Sequence, residues 1–419
     1  MARAIDETIE AAARESYGRL LAFVAARTRD LAAAEDALSD AFATALRTWP
    51  ESGVPDRPEA WLLTAARRKL IDAARRERVR AEALPALLAA ADEAAELATG
   101  PVQFADERLK LLFVCAHPAI DAADRTPLML QAVMQLDAAR VASAFLVSPA
   151  AMARRLTRAK AKIASAGIPF EVPEPHELAP RLDAVLEAVY AAYGSGWEDV
   201  SGADRRLRGL PQEALYLGRL IAVQLPREPE ALGLLALMLH CEARQEARRD
   251  AQGGYVPLAE QETALWSRTS IHEAERALAA AARLGRPGRF QLEAAIQSAH
   301  AARAVTGRTD WEAIALLYEG LVRIAPTTGA LVGRAAAVGE ARGSEAGWAV
   351  LQALPSEAVA TYQPYWALAA HLLVQRGQAD EARAAYDRAI GLCADPAMRA
   401  FLRKRAEAAE LTFNAPHRR

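Results

Sequence analysis

Cysteine is scarce. The 419 residues hold three, Cys115, Cys241 and Cys393, far apart and in no CxxC or Cys/His pattern. That excludes a disulfide framework and a zinc finger, and leaves reduced, mostly buried thiols as the expectation. Cys115 and His117 stand close, but no second ligand pair lies near them, so no metal is expected. Aromatic residues make up only 6% of the chain, and β-branched runs are short, which argues against sheet. No apolar run reaches bilayer length; the densest covers only 232–239. The opening MARAIDETIE lacks the basic, apolar, small order of an export signal, so a cytoplasmic, membrane-free protein is expected. Neither charge sign dominates, the net being −2, so nucleic-acid binding would have to come from local clusters. The second half holds no acid–base pair, nucleophile motif or Gly-rich phosphate loop, and its histidines are scattered. No catalytic role and no cofactor are expected.

What is present is helix. Alanine is abundant, hydrophobic content is 52% and charged content 25%, so an all-α soluble chain of several domains is predicted. The stretch VASAFLVSPAAMARRLTRAKAKI (141–163) reads as helix, turn and helix. Ser148 is placed to cap and Pro149 suits the first helical position. Met152, Leu156, Ala159 and Ile163 form one apolar stripe. Arg154, Arg155, Arg158, Lys160 and Lys162 are the only charges from 149 to 163, and all are positive. An apolar back with a cationic front suits a helix-turn-helix on DNA. A solvated basic helix has the same signature.

Two helices are predicted within 8–48. The second carries Leu38, Phe42, Ala45 and Leu46 on one side and Glu35, Asp36 and Asp40 on the other. Pro50, Gly53, Pro55 and Pro58 make a loop. A third helix over 59–80 has Trp61, Leu62, Ala65 and Leu70 as its apolar face. Its later half is cationic, with Arg67, Arg68, Lys69, Arg75, Arg76, Arg78 and Arg80 against Asp72 and Glu77, a surface suited to phosphates. Residues 81–105 read as an acidic, Ala-rich linker. Helix resumes at 106, breaks at His117-Pro118 and is predicted again over 127–135. Prolines at 169, 173, 175 and 180 mark a boundary. Beyond them helix follows helix, one of them predicted over 258–284. Tyr318 with Pro326, and Tyr386 with Ala394, are spaced at twice the 34-residue tetratricopeptide period. Trp366, Ala370, Gly377, Ala382, Tyr386 and Ala389 fit that repeat, which predicts two to three degenerate units over 288–395 and a capping helix over 396–412.

These motifs resemble a known family. AAAEDALSDAFATALRTW (32–49) is similar to the helix by which extracytoplasmic-function sigma factors, members of the sigma-70 family, clamp bacterial RNA polymerase. RPEAWLLTAARRKLIDAARRERVR (57–80) resembles their segment that opens and reads the −10 element. VSPAAMARRLTRAKAKI (147–163) resembles their −35 recognition helix, with Arg155-Leu156 and Arg158-Ala159 matching its Arg-Leu-x-Arg-Ala core. DERLKLLFVCAHPAI (106–120), AGIPFEVP (166–173), LGLLALMLHCEARQEAR (232–248) and LGRPGRFQLEAAIQSAHA (284–301) look like a subgroup with a long tetratricopeptide-like extension. The family usually has Asn where this chain has Arg68. Its Gly-Leu and Glu-Ile-Ala signatures are replaced by Gln135-Leu136 and Arg140-Val141-Ala142.

The resemblance implies a division into region two (1–80), linker (81–105), region four with its helix-turn-helix (106–168), a helical extension (176–287) and tetratricopeptide-like repeats (288–412). It implies core RNA polymerase and promoter DNA as partners, with a regulatory protein on the repeats. Polymerase contacts are expected from Glu35, Asp36, Leu38, Asp40 and Phe42. The −10 strand is assigned to Trp61, Arg67, Arg68, Lys69, Arg75 and Arg76, with Trp61 also on the apolar stripe. The −35 element is assigned to Ser148, Arg154, Arg155, Arg158, Lys160 and Lys162. An operator-binding regulator and a helical scaffold are the alternatives. Neither needs the second basic helix over 59–80.

Overall fold

A computed structural model of the chain describes residues 16–76, 106–145, 147–198 and 209–414. Among them every regular element is a helix, and one isolated β-bridge joins Arg249 to Tyr255. The expected all-α class holds. The linker over 81–105 lies outside the described residues. Two compact units are present. The first runs to Ser195 and includes Gly209–Leu217; the second includes everything from Gly218 onward.

The first unit opens with α1 (residues 16–28), which buries Leu20, Leu21, Val24 and Ala25. α2 (Leu31–Ser52) starts at Asp30, whose carboxylate accepts from the Ala33 amide at 3.0 Å. Its core stripe is Leu31, Ala34, Ala37, Leu38, Ala41, Ala45 and Trp49. The stripe turns the helix so that Leu46 is 50% exposed and Phe42 is half-buried, with its ring 5.8 Å from Tyr17. α3 (Pro58–Arg76) buries Leu62, Leu63, Ala66 and Ile71, one residue out of phase with the predicted face, which leaves Trp61, Ala65 and Leu70 half-buried. Glu59 in its first turn accepts two hydrogen bonds from Arg19 Nη2, at 2.9 and 3.0 Å, and one from the Ser16 hydroxyl, tying α1 to α3.

α4 (Arg108–Cys115) is buried on almost every side. Even Arg108 is buried, its guanidinium paired with Asp106 at 2.6 Å and with Glu213. α5 spans Ala122–Ala132 and is capped by Asp121, so it begins five residues before the predicted start at Pro127. Pro127 therefore lies inside the helix, where it has no N–H for the carbonyl of Ala123. α6 (Ala138–Ala144) and α7 (Pro149–Ser165) are two helices joined by a short turn. The Ser148 hydroxyl accepts from the Ala151 amide at 3.2 Å, and Met152, Leu156, Ala159 and Ile163 are buried, as predicted. Gln135, which stands where the resembled family carries glycine, has φ +59, the left-handed conformation that glycine adopts without a Cβ penalty. α8 (Pro175–Glu198) continues this unit to Ser195. α9 spans Leu210–Gln224.

The second unit stacks helices. α10 (Pro229–Glu242) is buried nearly all round. It packs against α11 (Arg268–Arg283) and α12 (Arg289–Ala301). Gly233 permits the second approach, because a Cβ there would lie 2.7 Å from the Gln291 amide nitrogen. Residues 258–267, predicted as helix, form two short 3₁₀ turns instead. Arg303 takes the carbonyls of Leu258, Ala259 and Gln261 at 2.7 to 3.0 Å and so competes with helical pairing there. Then follow α13 (Trp311–Ile324), α14 (Thr328–Arg342), α15 (Ser344–Gln352), α16 (Gln363–Gln375), α17 (Ala379–Leu392) and α18 (Pro396–Asn414). Each packs on the next, and α14 also reaches α16. Ala370, Ala382, Tyr386 and Ala389 share one core cluster, and Gly377 has φ +75 in the turn between α16 and α17.

Candidate nucleic-acid interface

The C-terminal end of α2, the loop at 53–57 and α3 enclose a groove of about 680 Å³. Trp61 lines it and packs edge-on against the fully buried Trp49, with centroids 5.4 Å apart. Arg57, Arg68 and Lys69 line the same groove, with Asp56 and Asp72. Trp61 is thus half-buried, with Trp49 on one edge and the open groove on the other side. Arg68 and Lys69 are exposed. Lys69 Nζ lies 3.2 Å from Asp40 Oδ2, but both side chains are at least half exposed. Such a pair contributes little, so the ammonium can exchange it for a phosphate. Arg67 is half-buried. The side chains of Arg75 and Arg76 lie outside the described residues.

The structure splits the cations of α7 into two groups. Arg154, Arg158 and Lys162 are exposed on α7. Arg155 turns inward, with Nε 2.6 Å from Asp124 Oδ1 and Nη2 2.7 Å from the carbonyl of Ala123. Lys160 is buried, and its ammonium lies 2.5 Å from Glu35 Oε2 on α2. Arg155 and Lys160 were expected on the DNA face; both instead hold α7 to its neighbours. The reason is rotational. Lys160 follows Ala159 on the buried stripe, and Arg155 precedes Leu156. The Ser148 hydroxyl is likewise committed to its cap.

The expected polymerase face of α2 is corrected in the same way. Leu38 is fully buried in the core, and Glu35 is taken by Lys160. Asp36 and Asp40 remain exposed, and Phe42 is half-buried beside Tyr17. Sequence reasoning places Leu46 on the buried face, yet it is an exposed apolar side chain next to this acidic surface. Its position one turn past Phe42, off the Leu38–Ala41–Ala45 line, is the signal that could have found it.

Elsewhere, burial and the Arg244 charge push His240 down to about 4. His300 is lowered to about 4, first by burial and then by Arg244. Both are neutral groups of the second unit's interior. Among the described residues no group of three or more His, Cys, Asp or Glu side chains is arranged to hold a metal ion. No described helix is long and apolar enough to cross a membrane.

A helical domain with a basic groove beside an acidic helix is the class of protein in question. Residues 13–80 match the Sigma-70 region 2 family, and residues 181–282 match a family of unknown function (DUF6596). The chain is 41% identical over 404 residues to the uncharacterized protein R00370 of Rhizobium meliloti (strain 1021), covering 95% of this chain and 94% of that protein. No solved structure matches the chain. The chain belongs to one family with R00370, with which it aligns along nearly its whole length. Its residues 13–80 are a sigma-70 region 2 domain, which supports a factor of transcription initiation that works with core RNA polymerase and promoter DNA.

Proposed function

We propose that the chain is an extracytoplasmic-function sigma factor that directs core polymerase to particular −10 and −35 elements, with the C-terminal helices regulating that activity. The observation that carries the reading is the groove beside Trp61, lined by Arg57, Arg68 and Lys69 within the region-two match. An aromatic wall with cations at its rim is suited to a single strand, whose bases stack while its phosphates pair. In this reading Trp61 meets an unstacked base, and Arg68 and Lys69 hold the backbone. Arg154, Arg158 and Lys162 form the second DNA surface, for the −35 element. Asp36, Asp40, Phe42 and Leu46 present an acidic-apolar surface to polymerase. The factor itself supplies no catalytic group; polymerase does the chemistry. The helices over 288–395 act as tetratricopeptide-like repeats, with 396–412 as their cap.

In vitro transcription with purified core polymerase tests this directly. Initiation at defined promoters that requires the full chain is expected. The reading fails if the chain binds DNA but gives no polymerase-dependent initiation on any fragment of a genomic promoter library.

A further inference from the structure

The second unit has two faces of different character. On one, His371 of α16 lies 3.8 Å from Glu340 of α14, and the Arg405 charge of α18 reaches His371. Residues 249–260 strap the start of α18 there: Arg249 pairs with Asp395 at 2.7 Å, Tyr255 packs edge-on against Phe401 at 5.4 Å, and Glu260 pairs with Arg405 at 2.5 Å. The other face is open. There α15, α16 and α17 enclose a groove of about 880 Å³.

The groove walls combine three chemistries. Trp348, Tyr365 and Trp366 are half-buried aromatic surfaces, and Tyr365 and Trp366 meet edge to face at 5.2 Å. Arg376 lies over the Trp348 ring at 5.3 Å, with Nε 3.3 Å from Glu345 Oε1. Its Nη1 is shielded from solvent and has no hydrogen-bond partner among the described residues. The same holds for Gln378 Oε1, whose amide nitrogen is directed to Glu381 at 3.4 Å. A shielded donor and a shielded acceptor on one groove complement a group that offers both, and a peptide amide is such a group. Arg388, at the exposed rim, sits 5.9 Å over Trp366 and donates at 3.3 Å to the carbonyl of Ala360. No carboxylate is paired with it among the described residues.

We propose that this groove binds an extended peptide segment of a partner protein, one that presents a bulky apolar side chain beside a carboxylate. The apolar side chain fills the space between Trp348, Tyr365 and Trp366. A backbone amide answers Arg376 Nη1 and Gln378 Oε1. The carboxylate pairs with Arg388. None of this depends on the transcription reading, and the assay below does not read transcription.

The probes are N-acetylated, C-amidated decapeptides of Gly and Ser with a central Phe-Asp, Phe-Lys or Ser-Asp pair, immobilised and titrated with the full chain. Phe-Asp peptides are expected to bind at least about tenfold more tightly than the other two, the value of one charge-assisted contact or one buried aromatic. Arg388→Met removes the preference for Asp over Lys while keeping that for Phe. Arg376→Met weakens all Phe peptides by about tenfold. Circular dichroism checks that both variants melt as the parent does; Arg388, being exposed, keeps the test alive if Arg376→Met unfolds. Absence of binding to any set, equal binding of Phe-Asp and Phe-Lys, or unchanged binding by both variants would overturn the proposal.

Discussion

Arg155 donates to the carbonyl that Pro127 leaves without a helical donor. Pro127 has no N–H for Ala123, four residues back in α5, and Arg155 Nη2 of α7 takes that role at 2.7 Å while its Nε pairs with Asp124. One side chain thus completes one helix and anchors another. Arg155→Ala is expected to destabilise the first unit by about 2 kcal/mol, as for a half-buried charged hydrogen bond. Pro127→Ala restores the helical donor, so Arg155→Ala should cost less in the Pro127→Ala background than in the parent. Urea denaturation of the four proteins checks this cycle; strict additivity would show that the two residues are uncoupled.

Lys160 and Glu35 lie 125 positions apart in sequence and pair with 11% and 21% of their side chains exposed. Removing either partner strands the other charge in a poorly solvated site. Lys160→Met and Glu35→Gln are each expected to cost about 3 kcal/mol, with the double variant closer to the parent than either single one. Thermal melts of all four, at one salt concentration, separate this from a surface pair, whose loss would be within about 1 kcal/mol.

The cations of α7 divide into exposed ones and anchors, and if the exposed ones meet DNA as proposed, binding should show the division. Arg154→Ala and Arg158→Ala are expected to lower affinity and to reduce the salt slope of binding by about one each, with no change in melting temperature. Lys160→Met should do the reverse, changing stability first. Fluorescence anisotropy on a promoter duplex between 50 and 200 mM salt, about the range over which such contacts are resolved, measures both quantities. If Arg154→Ala leaves the slope unchanged, that residue makes no phosphate contact.

His240 gives the second unit a pH dependence. Burial and Arg244 lower it from 6.5 to about 4, while Glu275, 3.4 Å away, is partly solvated and accepts the Ser298 hydroxyl. The folded state therefore binds the proton less readily than the unfolded chain. Stability is full above pH 6.5 and falls as the pH is lowered towards about 4, by about 3 kcal/mol over that window. Denaturation midpoints at pH 7.5, 6 and 5 should decline, and His240→Gln should reduce the decline, leaving the part that the likewise lowered His300 contributes. A flat parent profile would contradict the assignment.

Glu230 of α10 accepts from the Phe290 and Gln291 amides at 2.8 and 3.1 Å and so caps α12 from sixty residues away. Glu230→Ala is expected to cost about 1 to 2 kcal/mol. Hydrogen exchange at the first turn of α12 localises the loss; unchanged protection there would place the cap elsewhere.

Helix positions and the helix-turn-helix are legible in the sequence because apolar spacing, Ser148 and Pro149 are local signals. The face of each basic helix is not. On α7 the stripe Met152, Leu156, Ala159 and Ile163 sets the rotation, but which adjacent cations reach a neighbour depends on where Asp124 and Glu35 stand, and both are distant in sequence. Trp61 resists a sequence reading for a related reason: an aromatic at the margin of a stripe is core or groove according to what faces it, and here Trp49 covers only one edge. The strap at 249–260, the 3₁₀ turn at its end and the one that follows carry no periodicity to read; they are shaped by Arg303 and by the far end of the chain.

α2 is a two-sided beam. Glu35 faces α7, Leu38 faces the core, and Asp36 and Asp40 face outward. Force applied to its outer side is delivered through one rigid rod to the ammonium of Lys160. A body that grips α2 therefore acts on the footing of α7 without touching it; in the proposed function, that one helix would couple polymerase engagement to promoter reading.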